Sequence, residues 1–287
     1  LAFSGTGGTK IFTNQVLVSG GWNNSANEDL TFRNGLTFGG SSFISGSGTY
    51  TFNTNSQSLL GTQPLVFDGP VSLGANITLS NFTTVTIKGV LSGGSPSTWR
   101  NATGSVLNYE NGVQPMNGAN RTLNATANSN LVNYSGTVDQ AIKGTTYFNL
   151  TTSGSGTKTL QAATTVSRDL TITGTTTLLT NQYQITGNAA GHLTMDPGTS
   201  LLLGSMSNTT AVTFPTALIT TNISLDPTST VVYYANTSQT VSSVPVYGNL
   251  STATSGTKTL AGDITVAGNL SIGTATTLSA GAGNFDI

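Results

Sequence analysis

Apolar residues recur two apart along most of the chain, in short runs closed by Gly, Asn or Ser. Val16-Leu17-Val18, Leu30-Thr31-Phe32, Leu36-Thr37-Phe38 and Tyr50-Thr51-Phe52 are examples from the first fifth. Alternation of this kind, rich in β-branched and aromatic residues and bounded by turn formers, predicts short strands that bury one side. No helical period of apolar residues competes with it. The runs also repeat. Leu65-Val66-Phe67 lines up with Val85-Thr86-Ile87, Asn149-Leu150-Thr151-Thr152 with Asp169-Leu170-Thr171-Ile172, and Asn249-Leu250 with Asn269-Leu270, each at an offset of 20 residues.

A longer period encloses this one. Ser155-Gly156-Thr157-Lys158-Thr159-Leu160 returns unchanged as Ser255-Gly256-Thr257-Lys258-Thr259-Leu260, within windows, 147–178 and 247–278, that share more than half of their positions. Gly8-Thr9-Lys10 is a weaker relative. Met195-Asp196-Pro197 and Leu225-Asp226-Pro227 echo each other at an offset of 30, which predicts a coil carrying a longer loop. Proline presets φ and lacks a donor, so Asp-Pro reads as a corner. Tyr109 with Gln114, Tyr134 with Gln140 and Tyr234 with Gln239 read as equivalent corners.

A strand rises about 3.3 Å per residue and parallel neighbours lie about 4.8 Å apart. A 20-residue coil therefore holds two or three short strands, each pairing with its counterpart one coil on. The fold expected is all-β, a parallel β-helix (β-solenoid) with coils of about 20 residues and a 100-residue super-repeat. In it Leu150 pairs with Leu170, Thr152 with Ile172 and Gly154 with Gly174. The alternative is tandem immunoglobulin-like β-sandwiches, one per 100 residues. The expected organisation is a single elongated solenoid over 1–287, with divergent coils over 1–108 and regular repeats over 109–287, the copies lying near 130–180 and 230–280. In the repeated hexapeptide, Gly is expected at a corner, Leu in the core and Lys outward in solvent.

Composition narrows the function classes. Only nine Lys and Arg and ten Asp and Glu occur in 287 residues, giving a net charge of −1, while 36% of residues are hydrophobic. Disorder usually requires the opposite balance. The basic field that recruits nucleic acid or anionic membrane is missing, and no apolar run reaches the roughly 20 residues of a membrane-spanning helix. With no cysteine, disulfides and thiolate sites are excluded. The first residues, Leu1-Ala2-Phe3-Ser4-Gly5, read as the start of a processed or excised chain.

Candidate chemistry is sparse. Parallel β-helices that cleave polysaccharides need clustered carboxylates, whereas here only Glu28 and Asp29 are adjacent. The offsets Asp139/Asp169 and Asp196/Asp226 could still stack acids, although turn carboxylates are the simpler reading. His192 is the only histidine, so no pair at zinc spacing exists, and Arg168-Asp169 is a local ion pair. Calcium-type Gly-Gly-x-Gly-x-Asp repeats are absent. Thr171-Ile172-Thr173 raises a flat hydroxyl grid of the ice-binding kind. No catalytic, cofactor-binding or metal residue is assigned and no cofactor is expected; the chain is read as not an enzyme, a polysaccharide-acting enzyme ranking third.

Taken in succession, the Tyr/Gln corners, Asn-Leu-Thr/Ser, Ser-Gly-Thr-Lys-Thr-Leu and Gly268-Asn269-Leu270-Ser271-Ile272 resemble the repetitive passenger regions of large secreted bacterial surface proteins. These are β-helical adhesins and filament proteins, particularly the Thr/Gly/Asn-rich ones of Bacteroidota. The likeness covers Tyr109 to Leu278 and is looser before that. It implies a secreted, rod-shaped protein outside the cell or on its surface, and carries over no catalytic residue. The expected function is a structural subunit or segment of an extracellular bacterial fibre. Its expected partner is itself, head-to-tail through the end segments Leu1 to Val18 and Asn269 to Ile287. The alternative is a cell-surface adhesin segment binding glycans or host surfaces through exposed aromatics, with Trp22, Trp99 and Tyr147 as candidate contacts.

Overall fold

The computed structural model describes residues 1–3 and 8–287. The chain is an all-β parallel solenoid with coils of about 20 residues. Every strand pair between described residues is parallel, which excludes the sandwich alternative. Cα packing divides the chain into two compact units, 1–136 and 137–287.

In the first unit, one face is a five-stranded sheet of Lys10–Phe12, Leu30–Phe32, Tyr50–Phe52, Val71–Leu73 and Leu91–Gly93. A second holds six strands from Val16–Val18 to Arg121–Asn124. On a third, Leu65–Phe67 pairs with Thr84–Ile87 in the register read from sequence, Val85 on Leu65 and Ile87 on Phe67. Alternation decides which side chains enter. Leu30 and Phe32 are fully buried, as are Tyr50 and Phe52 one coil on, so equivalent residues form columns. Phe12, Phe32 and Phe52 make one such column, their rings stacked at 5.0 and 5.1 Å, an offset geometry favourable to aromatic pairs.

Corners need their own bonding, because backbone groups leaving one strand have no ladder partner. Buried asparagines supply it. Asn81 Nδ2 donates to Val106 O at 2.9 Å, and Asn101 Nδ2 repeats the contact with Leu131 O at 3.1 Å.

The second unit reproduces the expected stacking. Leu150 pairs with Leu170 and Thr152 with Ile172. At the adjoining corner, Gly174 has φ +74°, and a Cβ there would lie 2.5 Å from Gly154 O. Both the left-handed backbone and the close approach require glycine. Gly174→Ala is therefore expected to destabilise this unit by roughly 2 kcal/mol or more, measured as a lowered urea midpoint with an unchanged m-value.

The 30-residue echo is also a coil with a long loop, since Met195 pairs with Leu225 and Ser200 with Thr230. That loop has a consequence for the super-repeat. Asn149–Thr152 lies on a face with Leu170–Ile172, Leu193–Met195 and Ile223–Leu225. Its counterpart Asn249–Thr252 joins the next face, with Ser155–Leu160, Thr175–Leu179, Ser200–Leu203 and Thr230–Tyr233. One hundred residues do not hold five coils of 20; the second copy enters one face later than the first. The Tyr/Gln corners also need re-pairing. Tyr134 and Tyr233, both fully buried at strand ends, are the equivalent residues, whereas Tyr234 points outward.

Candidate functional site

The three proposed surface aromatics are all fully buried, and that expectation is corrected. Trp22 stacks on Phe43 at 5.7 Å and donates from Nε1 to Tyr50 Oη at 3.1 Å. Trp99 Nε1 donates to Asn101 Oδ1 at 2.9 Å, and Tyr147 Oη donates to Lys143 O at 2.5 Å. Each ring lies inward because it shares strand parity with core residues, and its polar atom finds an internal partner as buried Trp and Tyr usually do. None offers a face to a glycan.

The lysines of the repeated hexapeptide are corrected in the same direction. Lys158 and Lys258 are fully buried. Within Ser155–Leu160, Lys158 is two residues from Leu160 and shares its inward side; it stacks beneath Leu178 as Lys258 does beneath Leu278. The weaker relative follows the rule, with Lys10 beneath Leu30 and its ammonium 3.6 Å from the buried Glu28 carboxylate. Lys158 Nζ donates to Val138 O at 3.0 Å. Lys258 Nζ donates to Ala235 O, Thr237 O and Gln239 Oε1 at 2.9, 2.7 and 2.9 Å, which satisfies its three protons. Burial lowers both lysines from 10.5 to about 8, opposed at Lys158 by the nearby Asp139 carboxylate. At pH 7 each therefore stays mainly charged. These are internal plugs that tie a strand to the preceding corner.

The carboxylates work at corners. Asp29 Oδ1 accepts from Thr49 N and Asp139 Oδ1 from Thr157 N, both at 2.7 Å. Asp226 accepts from Thr228, whose hydroxyl holds its carboxyl below the usual range. Asp169 Oδ1 lies 3.7 Å from Arg168 Nε as an ion pair and 2.9 Å from His192 Nδ1, in an exposed cluster. Among the described residues no group of three or more His, Asp or Glu converges, and no helix is long and apolar enough to cross a membrane. Thr171-Ile172-Thr173 makes one outward row, Thr151, Thr171 and Thr194 in register. Thr173 leaves the strand to bond Asp196, so no two-column grid forms there.

Thr265–Val266, Leu270–Ile272 and Thr276–Ser279 are each the outermost strand of their sheets. Leu270 and Ile272 hold inward positions above Leu250 and Thr252, yet they are 36% and 51% exposed where Leu250 is 0%. At the other extreme, Lys10–Phe12 and Val16–Val18 are outermost in their sheets, and the outward Ile11 and Leu17 are exposed. Residues 4–7 of the expected end segment lie outside the described residues. The fold is a parallel β-solenoid. No family model matches the chain, and no curated protein or solved structure matches it.

Proposed function

We propose that this chain is a structural segment of an extracellular bacterial fibre, secreted and assembled by coil-on-coil stacking. The observation that carries the reading is the run of parallel strands stacked coil on coil in register with very few charges. Unpaired strand edges template pairing with another chain, and head-to-tail contacts that do not close produce filaments. The near-absence of charge supports the same reading, since little long-range repulsion opposes stacking.

Association costs about 4–15 kcal/mol, so the backbone ladder and inward side chains of a whole coil must supply it, and assembly should be concentration-dependent. Light scattering on the purified chain is expected to show mass rising with concentration, with fibres in negative-stain micrographs. A chain that stays monomeric at high concentration and forms no fibres overturns the proposal. The glycan-binding alternative is left without its three contact residues, all of which are buried.

A further inference from the structure

We infer that the cleft beside the long loop of the second unit binds a small, neutral and mainly apolar molecule, of the size of two linked rings and carrying one or two hydrogen-bonding groups. The site is independent of assembly.

The connection from Ser200–Leu203 to Ile223–Leu225 runs through 204–222, and within it only Thr220–Asn222 is regular structure. Irregular connections of this length are uncommon in compact folds and usually carry function. This one is fixed to the coil before it. Thr216 N donates to Ile185 O at 3.2 Å and Thr216 O accepts from Gly187 N at 2.8 Å, while Gln184 Oε1 accepts from Thr213 N at 3.1 Å. Thr216 thus adds one rung to Ile185–Thr186. The pairing goes no further, because Pro215 has no N–H to offer and Ala217 lies in the left-handed region at φ +61°, a strained conformation for a residue with a Cβ.

A cleft of about 290 Å³ lies against this segment, walled by Phe214 and Leu218 from the loop and by Val244 and Ala261 from the coils that follow. Its volume is near the lower end for small-molecule sites, which are lined chiefly by apolar groups with a few polar ones. Thr216, Thr240 and Ser242 bring hydroxyls to it, and none of its lining residues is charged or is histidine. An ion would leave water there without a partner, which is costly.

The super-repeat supplies an independent sign. Gln140 and Gln239 both pair with the lysine of their hexapeptide, and Tyr147 and Tyr247 pair with Val166 and Val266. Between these matched points the first copy reads Lys143-Gly144-Thr145-Thr146 and the second Ser242-Ser243-Val244-Pro245-Val246. The second corner is the one at the cleft, and there a lysine, a glycine and two threonines give way to two valines and a proline. The loop does not use up this apolar surface, since Val244 and Val246 remain 37% and 51% exposed. Apolar surface left open beside a fixed cleft is what a small apolar ligand requires.

Fluorescence titration of the whole chain with N-phenylnaphthylamine, a neutral apolar probe, tests the site. Emission is expected to rise and to saturate at one probe per chain. Ala261→Phe fills the cleft from an exposed position and is expected to weaken binding about tenfold or more. Gln161→Phe, the same position in the first copy, is expected to leave it unchanged. Val244→Ser adds no bulk and is expected to weaken binding severalfold, and it decides the matter if Ala261→Phe lowers the urea midpoint. The sulfonated analogue, anilinonaphthalenesulfonate, is expected to bind more weakly than the neutral probe. Absence of binding, binding at many equivalent sites, or binding indifferent to both cleft variants overturns the site. Equal or tighter binding of the sulfonate overturns the class of ligand.

Discussion

Lys258→Ala is expected to destabilise the second unit by about 3–5 kcal/mol, the range of buried large-to-small changes that also strand polar partners. The substitution empties the space of three methylenes and an ammonium beneath Leu278. It also removes the ammonium that ties Ala235 O, Thr237 O and Gln239 Oε1 together. Gln239 Oε1 keeps its bond from Ala235 N at 3.0 Å, so the corner loosens rather than losing every contact. Lys258→Met keeps most of the packing and is expected to fall between alanine and wild type, at about 1–3 kcal/mol. Lys88→Ala is the comparison. Its ammonium lies 2.7 Å from Asp68, but both side chains are about half exposed, and such pairs contribute about 0–1 kcal/mol. Urea midpoints for the three variants separate the two settings of lysine. A Lys258→Ala midpoint no lower than that of Lys88→Ala would contradict the plug.

The pH dependence of stability is expected to show a maximum near pH 10. Lys158 and Lys258 lose their protons near pH 8 in the folded chain and near 10.5 when unfolded. Between those values the unfolded state binds more protons, so stability rises with pH. The gain is at most about 3 kcal/mol for each lysine, reduced by the carbonyl bonds that favour the ammonium. Tyrosines act in the opposite sense above their ordinary value of 10.0. Burial pushes Tyr233 up to about 12 and raises Tyr247, Tyr109 and Tyr50. Above pH 10 the unfolded state loses phenolic protons that the folded state keeps, and stability falls. Tyr233 and Tyr247 share a hydroxyl contact at 2.9 Å, so the descent should be steep. Denaturant titrations from pH 7 to 11 would show the rise and fall, and Lys258→Met should flatten the rising limb. Stability that declines monotonically from pH 7 would count against the buried lysines.

The fold was legible because its two signals agree: alternation fixes which residues enter, and the offset of 20 fixes what they stack upon. Leu65 on Val85 and Leu150 on Leu170 follow from those rules alone. The lysine plugs were missed although the first rule covers them. In Thr157-Lys158-Thr159-Leu160, placing Leu160 inward places Lys158 inward too, and the charge of lysine was allowed to override parity. What sequence could not supply was the set of acceptors, since Ala235 O and Thr237 O converge on Lys258 only through corner geometry. The aromatics failed for a related reason. Trp22 and Trp99 were read as exposed contacts by residue type, whereas strand parity assigns them to the core. The super-repeat was legible, but not that its copies start on different faces, because the long loop before Ile223 occupies residues without completing an extra coil of 20.

That loop gives the repeats a rotational meaning. Lys158 enters from the seven-stranded sheet and Lys258 from a different, three-stranded one, so the two hexapeptides are turned about the solenoid axis by one side of its cross-section. The outward pair Thr157 and Thr159 therefore has a different azimuth from Thr257 and Thr259. A sequence repeating in this way is threaded like a screw: a receptor that recognised one copy would meet the next only after moving around the axis as well as along it.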